Sequence, residues 1–202
     1  MATSLSSAPA VAHCPALFLA APASGQGKTT ITAALARYHR DLGRKVRVFK
    51  MGPDYLDPQI LQQASGQPVT QLDLWMAGTE YCRHQFYLAA QAADLILVEG
   101  AMGLFDGEPS SADLAMTFNI PVALVMDVKG MAQTAAAVAL GLADFRDDVE
   151  FCGLVANNCG TQRHAQLITD ALDGRMPLLA NLARDPEVSL PERHLGLVQA
   201  EE

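Results

Sequence analysis

A short stretch near the N-terminus combines glycines, a lysine and hydroxyl side chains at a spacing suited to phosphate binding. In such a loop, successive backbone N–H groups point at one anion, and the N-terminus of the following helix adds positive potential. Lys28 would reach the β- and γ-phosphates, and the Thr29 hydroxyl would bind Mg²⁺. We therefore predict a site for ATP and Mg²⁺. The stretch consists of Ser24, Gly25, Gln26, Gly27, Lys28, Thr29 and Thr30.

This stretch departs from the usual pattern G-x-x-x-x-G-K-[ST], because Pro22 stands at the first glycine position. The alternative is a glycine-rich turn that only caps a helix, but a Gly-x-Gly-Lys-Thr-Thr run directly after a strand favours phosphate binding. Partition-type ATPases carry a second lysine early in this loop. Ala23 stands there in this chain, which argues against that class.

Carboxylates follow two further apolar runs that predict strands. Glu99 ends one run, and Asp54 and Asp57 come shortly after another, beside Pro53 and Pro58. A carboxylate directly after a buried strand, at the edge of the sheet that holds the phosphate loop, suits a Mg²⁺ site. The two aspartates have a second interpretation as turn formers next to prolines.

Two more polar side chains end later strands, and a glycine-rich loop follows Glu99. Asp127 is either linked to the metal or the N-cap of the next helix. Asn157 offers both a donor and an acceptor to an adenine base, or forms a turn with Asn158. Three glycines between Gly100 and Gly107 indicate a loop that approaches a ligand closely.

The elements that must position these residues alternate between apolar runs and helical patterns, which predicts a parallel sheet with crossover helices. Ligands of such sheets bind at the carboxyl ends of the strands. The predicted fold class is α/β, a P-loop NTPase-type three-layer fold with a mostly parallel central sheet flanked by helices. Predicted strands are Leu17–Ala21, Val46–Lys50, Leu95–Glu99, Val122–Asp127, Phe151–Asn157 and Leu178–Leu182. Predicted helices are Lys28–Leu42, closed by Gly43, then Thr79–Ala92, Ser111–Phe118, Met131–Leu142 and Arg163–Leu172.

Composition narrows the classes of partner. A net charge of −8 argues against nucleic acid, which requires a basic face. We expect no membrane span, because no apolar run approaches about 18 residues. Four cysteines without a CxxC pair indicate reduced thiols in a cytoplasmic protein. Residues 1–15 are predicted to be a disordered tail, residues 16–202 one domain, and residues from Ala183 onward irregular.

Several of these motifs together resemble a known family. The segments are Phe49–Pro58, Glu99–Gly107, Val125–Gln133 and Leu190–Glu202. They look like the synthetase domain of cobyrinic acid a,c-diamide synthase, and of the relative that acts on the metal-free ring, hydrogenobyrinic acid. The resemblance runs from about Ala16 to the C-terminus. The wider group includes dethiobiotin synthetase, which has a similar phosphate loop.

The resemblance implies ATP-dependent amidation of the a and c acetate carboxylates of a corrin ring, in cobalamin biosynthesis. An acyl phosphate would form first, and ammonia derived from glutamine would then attack it. Lys28 and Mg²⁺ would stabilise charge on the transferring phosphoryl group. Thr29 and Glu99 would hold the metal, with Asp54 as a further candidate. Exclusion of water from the acyl phosphate implies a closing loop or a partner domain.

The same resemblance assigns roles to the remaining residues. Asp54, Asp57 and Asp106 match positions associated with substrate handling and with the amidation steps. Asn157 matches the base-reading asparagine of the wider group.

The family enzyme also carries a C-terminal glutaminase domain with a nucleophilic cysteine. None of the four cysteines stands in a glutaminase-like setting. We therefore expect either part of a longer protein or a split protein whose glutaminase is another chain. In both cases the ammonia source lies outside this chain, which should bind ATP without hydrolysing glutamine.

Other functions stay open at this point. One is a P-loop switch or scaffold ATPase that dimerises with nucleotide, which Ala23 disfavours. Another is an enzyme of the wider group, such as cobyric acid synthase or dethiobiotin synthetase, against which the Gly52–Pro58 motif argues. The sequence does not choose between a cobalt-containing and a metal-free ring, and it leaves a homodimer as one allowed assembly.

Overall fold

Seven parallel strands form one sheet in the order β3-β2-β4-β1-β5-β6-β7. The computed structural model describes residues 11–185, so the Leu190–Glu202 segment and residues 1–10 of the predicted tail lie outside the described residues. The strands are β1 Ala16–Ala20, β2 Val46–Met51, β3 Thr70–Leu72, β4 Leu95–Glu99, β5 Val122–Asp127, β6 Phe151–Asn157 and β7 Leu178–Asn181. The helices are α1 Lys28–Asp41, α2 Asp57–Ser65, α3 Thr79–Ala92, α4 Ser111–Thr117, α5 Gln133–Phe145 and α6 Gln162–Leu172.

The central strands are nearly continuous apolar runs because helices cover both faces of the sheet. Phe18 and Phe49 belong to a core on the face covered by α3 and α4. Leu19 and Val48 point to the opposite face, where they pack with residues of α1 and α2. The structure thus has the three layers that the sequence predicts.

Each predicted strand and helix is present, with ends that shift by a few residues at most. Gly43, with φ of +80°, follows the end of α1 in the left-handed conformation that glycine tolerates best. The helix α5 begins at Gln133 rather than at Met131. From Leu182 to Asp185 the chain has no regular structure.

The prediction of no helix or strand between Lys50 and Thr79 is wrong, because this segment contains α2 and β3. Asp57 and Pro58 read as turn residues, but proline is well tolerated in the first turn of a helix. Gly66, with φ of +70°, then ends α2 after nine residues. The strand β3 has only three residues and pairs with β2 at the edge of the sheet, so it leaves little periodic signal in the sequence.

The order of the strands places β1 between β4 and β5. The chain passes from β1 to one side of the sheet and later returns to the other side at β5. Such a switch point leaves a crevice at the carboxyl ends of the strands. The loops after β1, β2, β4, β5 and β6 therefore meet at one edge.

Within the described part of the chain, every helix falls short of the length and apolar character that a bilayer crossing requires.

Candidate active site

The predicted phosphate loop joins β1 to α1 at this edge. Gly25 and Gly27 have φ of +75° and +94°, a region that side chains rarely adopt. A Cβ atom at Gly27 would also collide with the side-chain amide of Asn157. These two glycines are therefore required by backbone shape and by close approach. Lys28 is the first residue of α1, as phosphate binding at a helix N-terminus requires.

Lys28 lies buried under the glycine-rich loop that follows β4. Its Nζ donates to the carbonyl of Met102 at 2.7 Å and to that of Ala23 at 3.3 Å. Burial lowers the pKa of Lys28, and repulsion from the neighbouring Lys50 lowers it further. Two separate loops thus contact one ammonium group at the mouth of the phosphate loop.

Side-chain hydrogen bonds of Gln26 and Asn157 connect the phosphate loop to the ends of β5 and β6. The Gln26 Oε1 accepts a hydrogen bond from the backbone N–H of Asp127 at 2.9 Å. The Asn157 Nδ2 donates to the Gln26 carbonyl at 3.0 Å, and its Oδ1 accepts from the N–H of Asn158. The structure therefore brings Asn157 to the phosphate loop, where the sequence predicts it.

The two interpretations of Asp127 are resolved in part by its contacts. Its carboxylate accepts from Lys129 N–H at 2.9 Å and from Asn158 Nδ2 at 2.8 Å. The next helix, α5, begins at Gln133 with Ala132 as its N-cap. The prediction that Asp127 caps this helix is wrong, because Asp127 instead joins the loops that follow β5 and β6.

Glu99 is fully buried at the end of β4, next to the phosphate loop. The Thr29 hydroxyl donates to its Oε1 at 2.7 Å. Its other oxygen, Oε2, is buried without a hydrogen-bond partner. Burial raises the pKa of Glu99, and the ammonium of Lys50 acts against that rise. A buried carboxylate oxygen without a donor is a site that a cation would satisfy.

Lys50 is a candidate functional residue that was not predicted from the sequence. Its Nζ lies 2.8 Å from Glu99 Oε1, 2.9 Å from Asp57 Oδ2 and 3.9 Å from Asp54 Oδ2. Burial opposes the charge on Lys50, but attraction by Glu99 and Asp57 outweighs burial and raises its pKa. The available signal was a lysine inside an otherwise apolar strand, where only a paired charge is tolerated.

Asp54 and Asp57 agree with the interpretation as turn residues, and both also contact Lys50. The Oδ1 of Asp54 accepts from the N–H groups of Leu56 and Asp57 at 2.9 and 3.0 Å, which shapes the turn before α2. Its Oδ2 faces Lys50. Asp57 opens α2, and its buried carboxylate pairs with the same lysine. Both residues are turn or helix-start residues that also belong to the charged cluster.

Asp106 lies at the exposed rim of the site rather than inside the charged cluster. Its Oδ2 accepts from the backbone N–H of Gly103 at 3.1 Å. A Cβ atom at Gly103 would meet the Pro22 carbonyl at 2.7 Å and also the Asp106 carboxylate. The glycine therefore permits this loop to lie against the phosphate loop. The charge of Asp106 acts on Lys28, whose pKa it raises slightly against the effect of burial.

Mg²⁺ fits the oxygens beside the phosphate loop. Among the described residues there is no group of three or more His, Cys, Asp or Glu side chains arranged to hold a metal. Mg²⁺ needs fewer protein ligands than that, because nucleotide phosphates and water complete its shell. Thr29 Oγ1 and the unpartnered Glu99 Oε2 would supply protein oxygens, and Asp54 lies 3.9 Å from Lys50, which contacts Glu99.

A cleft of about 370 Å³ opens from the charged cluster to solvent. Lys50 and Asp54 lie among its lining residues, and Trp75 and Met102 are lining residues too. A ligand in the cleft would thus contact both charged and apolar side chains.

Two curated proteins that are similar to this chain over most of its length are named a,c-diamide synthases. Hydrogenobyrinate a,c-diamide synthase from Pseudomonas aeruginosa is 59% identical over 191 residues, which are 95% of this chain and 44% of that protein. Cobyrinate a,c-diamide synthase from Herminiimonas arsenicoxydans is 53% identical over 180 residues, 89% of this chain and 40% of that protein. The chain thus spans less than half the length of these curated relatives.

Solved structures with low sequence identity share the fold. The cell division protein FtsY from Thermotoga maritima has a TM-score of 0.60 at 17% identity, over 90% of this chain and 66% of that chain. The septum site-determining protein MinD from Pyrococcus horikoshii, complexed with Mg-ADP, has a TM-score of 0.56 at 16% identity, over 86% and 83% of the two chains. These confirm the predicted P-loop α/β fold. The family described as the CobQ/CobB/MinD/ParA nucleotide binding domain matches residues 17–198. The chain belongs to this family.

Proposed function

We propose that this chain is the ATP-using domain of an amide ligase that amidates the a and c acetate carboxylates of cobyrinic or hydrogenobyrinic acid, in cobalamin biosynthesis. One observation carries the proposal: Lys50 contacts Glu99 and Asp57 directly beside Thr29 of the phosphate loop. Lys50 also lines the cleft, so an acceptor carboxylate that displaces one of its present partners would meet a cation next to the phosphoryl donor. The names of the two a,c-diamide synthase relatives support the choice of substrate.

The first chemical step activates the carboxylate, which is a poor acyl donor because oxide would have to leave. An acetate oxygen attacks the γ-phosphorus of ATP, and the bond from that phosphorus to the bridging oxygen of ADP breaks. Lys28 would hold the β- and γ-phosphate oxygens and stabilise the charge that develops on them. Lys50 would orient the attacking carboxylate. Mg²⁺, held by Thr29 and Glu99 with Asp54 as a further candidate, would neutralise phosphate charge when bound.

The second step forms the amide. The nitrogen of ammonia attacks the acyl carbon, the carbon–oxygen bond to phosphate breaks, and the nitrogen loses a proton to phosphate or to a nearby carboxylate. We assign Asp57 and Asp106 to substrate handling and to these amidation steps. Asn157 would read the adenine base with the donor and acceptor capacity of its amide that remains beside its contacts to Gln26 and Asn158.

The ammonia source is part of the proposal. Relatives more than twice as long as the matched region leave room for a glutaminase domain, here or in another chain. All four cysteines lie in the described part of the chain and are free thiols. Free thiols suit a reducing compartment, so we propose that the reaction takes place in the cytoplasm.

The test is direct amidation by this chain. We would incubate it with ATP, Mg²⁺, an ammonium salt and either cobyrinic or hydrogenobyrinic acid, and follow the corrinoid by high-resolution mass spectrometry. We expect two successive exchanges of a carboxyl OH for NH₂, each with formation of one ADP. The Lys28→Ala variant is the matched control. Nucleotide-dependent dimerisation with no amide from either corrinoid would overturn the proposal in favour of a switch ATPase.

A further inference from the structure

Four large apolar side chains that are more than half exposed line the cleft or the cavity that adjoins it, and the steps above give them no role. They are Tyr55, Trp75, Met76 and Met102, with exposed fractions of 82%, 78%, 68% and 51%. We call this set the apolar rim. Large apolar side chains gathered at one exposed place mark an interaction surface more often than scattered single ones do.

The apolar rim lies next to charged residues of the candidate active site. Trp75 and Met102 line the same cleft as Lys50 and Asp54. Tyr55 and Met76 line an adjoining cavity that shares Gly52, Pro53 and Asp73 with the cleft. A ligand in the cleft whose carboxylate reaches Lys50 would therefore lie next to Trp75 and Met102.

Backbone contacts hold the rim residues in place. The carboxylate of Asp73 accepts hydrogen bonds from the N–H groups of Trp75 and Met76 at 2.9 and 2.8 Å. Met102 has a φ of 52°, which is uncommon for a residue other than glycine, and its carbonyl accepts from Lys28. The rim is thereby connected to the lysine of the phosphate loop.

The size of the cleft indicates which part of a substrate the rim would contact. A volume of about 370 Å³ lies at the low end of the range for drug-sized ligands. A corrin macrocycle with its acetate and propionate arms is larger than that, so one arm can enter while the ring stays outside. The flat, apolar part of the ring then lies at the level of Trp75 and Met102.

We infer that Trp75 and Met102 position the substrate by stacking against the apolar face of the macrocycle, while one acetate arm reaches Lys50. This inference rests on the proposed function. Among the described residues that line the cleft, Lys50 is the only basic one, and the acidic Asp54, Asp73 and Glu108 line the cleft with it. Apolar contact therefore dominates the binding of the ring, and salt weakens it little.

The fluorescence of Trp75 can report on ligand binding, because Trp75 is the only tryptophan in the sequence. Corrinoids absorb light where tryptophan emits, so a ring stacked on Trp75 quenches its fluorescence. We would titrate cobyrinic acid into the chain with Mg²⁺ and a non-hydrolysable ATP analogue, at low and high salt. We expect saturable quenching with a dissociation constant that changes little with salt.

Substitution tests the assignment independently of fluorescence. We expect Trp75→Ala to weaken cobyrinic acid binding, measured by equilibrium dialysis, by about 10-fold or more, because a large apolar contact is lost. KM for the corrinoid should rise while kcat stays nearly unchanged. Trp75→Phe should restore most of the affinity. The matched control is Tyr38→Ala, which removes a 62% exposed aromatic from the last turn of α1, outside both cavities.

The outcomes separate this inference from the proposed function. If the chain amidates the corrinoid but Trp75→Ala leaves KM and the dissociation constant unchanged, the rim assignment is wrong and the proposed function stands. In that case the rim is a docking surface for the ammonia-supplying domain. If the chain neither binds nor amidates the corrinoid, both are overturned. Affinity that falls steeply with salt would also contradict the stacking assignment.

Discussion

At the scale of single residues, the positive charge of Lys50 is balanced by the negative charges of neighbouring carboxylates. Its ammonium is buried and lies within 3 Å of two buried carboxylates, Glu99 and Asp57. Such a cluster adds little net stability when complete, because each charge gives up its hydration. Removal of the lysine is costly, since it leaves the two carboxylates together without a counter-ion. Lys50 thus has a structural role in addition to the chemical role proposed for it.

Substitution of Lys50 should reveal this balance. We expect Lys50→Met to lower the free energy of unfolding by about 3–5 kcal/mol, because Glu99 and Asp57 are left facing each other in the interior. The double variant Lys50→Met/Glu99→Gln should recover part of the loss by removing one of the two charges. Urea unfolding of the three proteins measures both effects. A loss of less than about 1 kcal/mol in the single variant would show that the cluster is well hydrated.

Lys28 should affect turnover far more than stability. We expect Lys28→Ala to lower the rate of amide formation by at least about 10²-fold, because the cation that stabilises the phosphoryl group is removed. Steady-state kinetics with ATP, ammonium and the corrinoid provide the measurement. Near-normal turnover would mean that the phosphate loop has been misassigned.

At the scale of elements, the helix α4 closes the glycine-rich loop that carries Met102 and Asp106. A reciprocal capping box starts the helix, in which Ser110 and Asp113 each accept from the other's backbone N–H. Arg146, directly after α5, pairs with the same Asp113 at 2.6 Å. One carboxylate therefore connects two helices and the end of the loop.

The charge on Asp113 makes this junction sensitive to acid. Burial acts to raise its pKa, but hydrogen bonds from Arg146 and Ser110 outweigh burial and hold the pKa below the ordinary 3.8. For a carboxyl with a lowered pKa in the folded state, the stabilisation is present above 3.8 and is lost as pH falls below it. We expect Asp113→Asn to cost about 1 kcal/mol at neutral pH, which is typical of a lost cap.

Urea unfolding at pH 7, 5 and 3 compares the wild-type chain with Asp113→Asn. The gap in free energy of unfolding should be constant between pH 7 and 5 and should narrow at pH 3. An equal gap at all three values would contradict the charge-based explanation and would leave only a steric role for the side chain.

At the scale of the whole molecule, binding at the edge of the sheet should stabilise the entire domain. The first turn of α1 and the last residue of β4 contribute Thr29 and Glu99, so ATP and Mg²⁺ would bind only when the central strands are assembled. At about 100 times the dissociation constant, such a ligand adds about 2.7 kcal/mol. We expect the unfolding temperature to rise by about 5–10 °C with ATP and Mg²⁺.

A chelator should remove the part of this shift that depends on Mg²⁺. The Glu99→Gln variant is the control, because it keeps the shape of the side chain but loses the charge facing the ion. Differential scanning calorimetry with and without chelator measures both effects. A shift that is the same in Glu99→Gln as in the wild-type chain would place the metal elsewhere.

The phosphate loop and most of the fold could be predicted because their signals are local. Ser24–Thr29 are consecutive, and the backbone N–H groups that face an anion belong to the same loop. The strands β4 and β5 are nearly continuous apolar runs, which mark burial on both faces. The segment that contains α2 and β3 was missed because Asp57 and Pro58 suit a turn as well as the first turn of a helix.

By itself, the sequence determined the fold class, the phosphate loop and the carboxylates at the strand ends, since each depends on neighbours along the chain. Only the tertiary structure decided which of them meet. Lys50 and Glu99 are 49 residues apart, and Lys28 and Met102 are 74 apart. Such pairs come together because parallel strands end at the same edge of the sheet. Periodicity cannot show that a lysine in an apolar strand will lie between carboxylates, because their charges stabilise it only after folding.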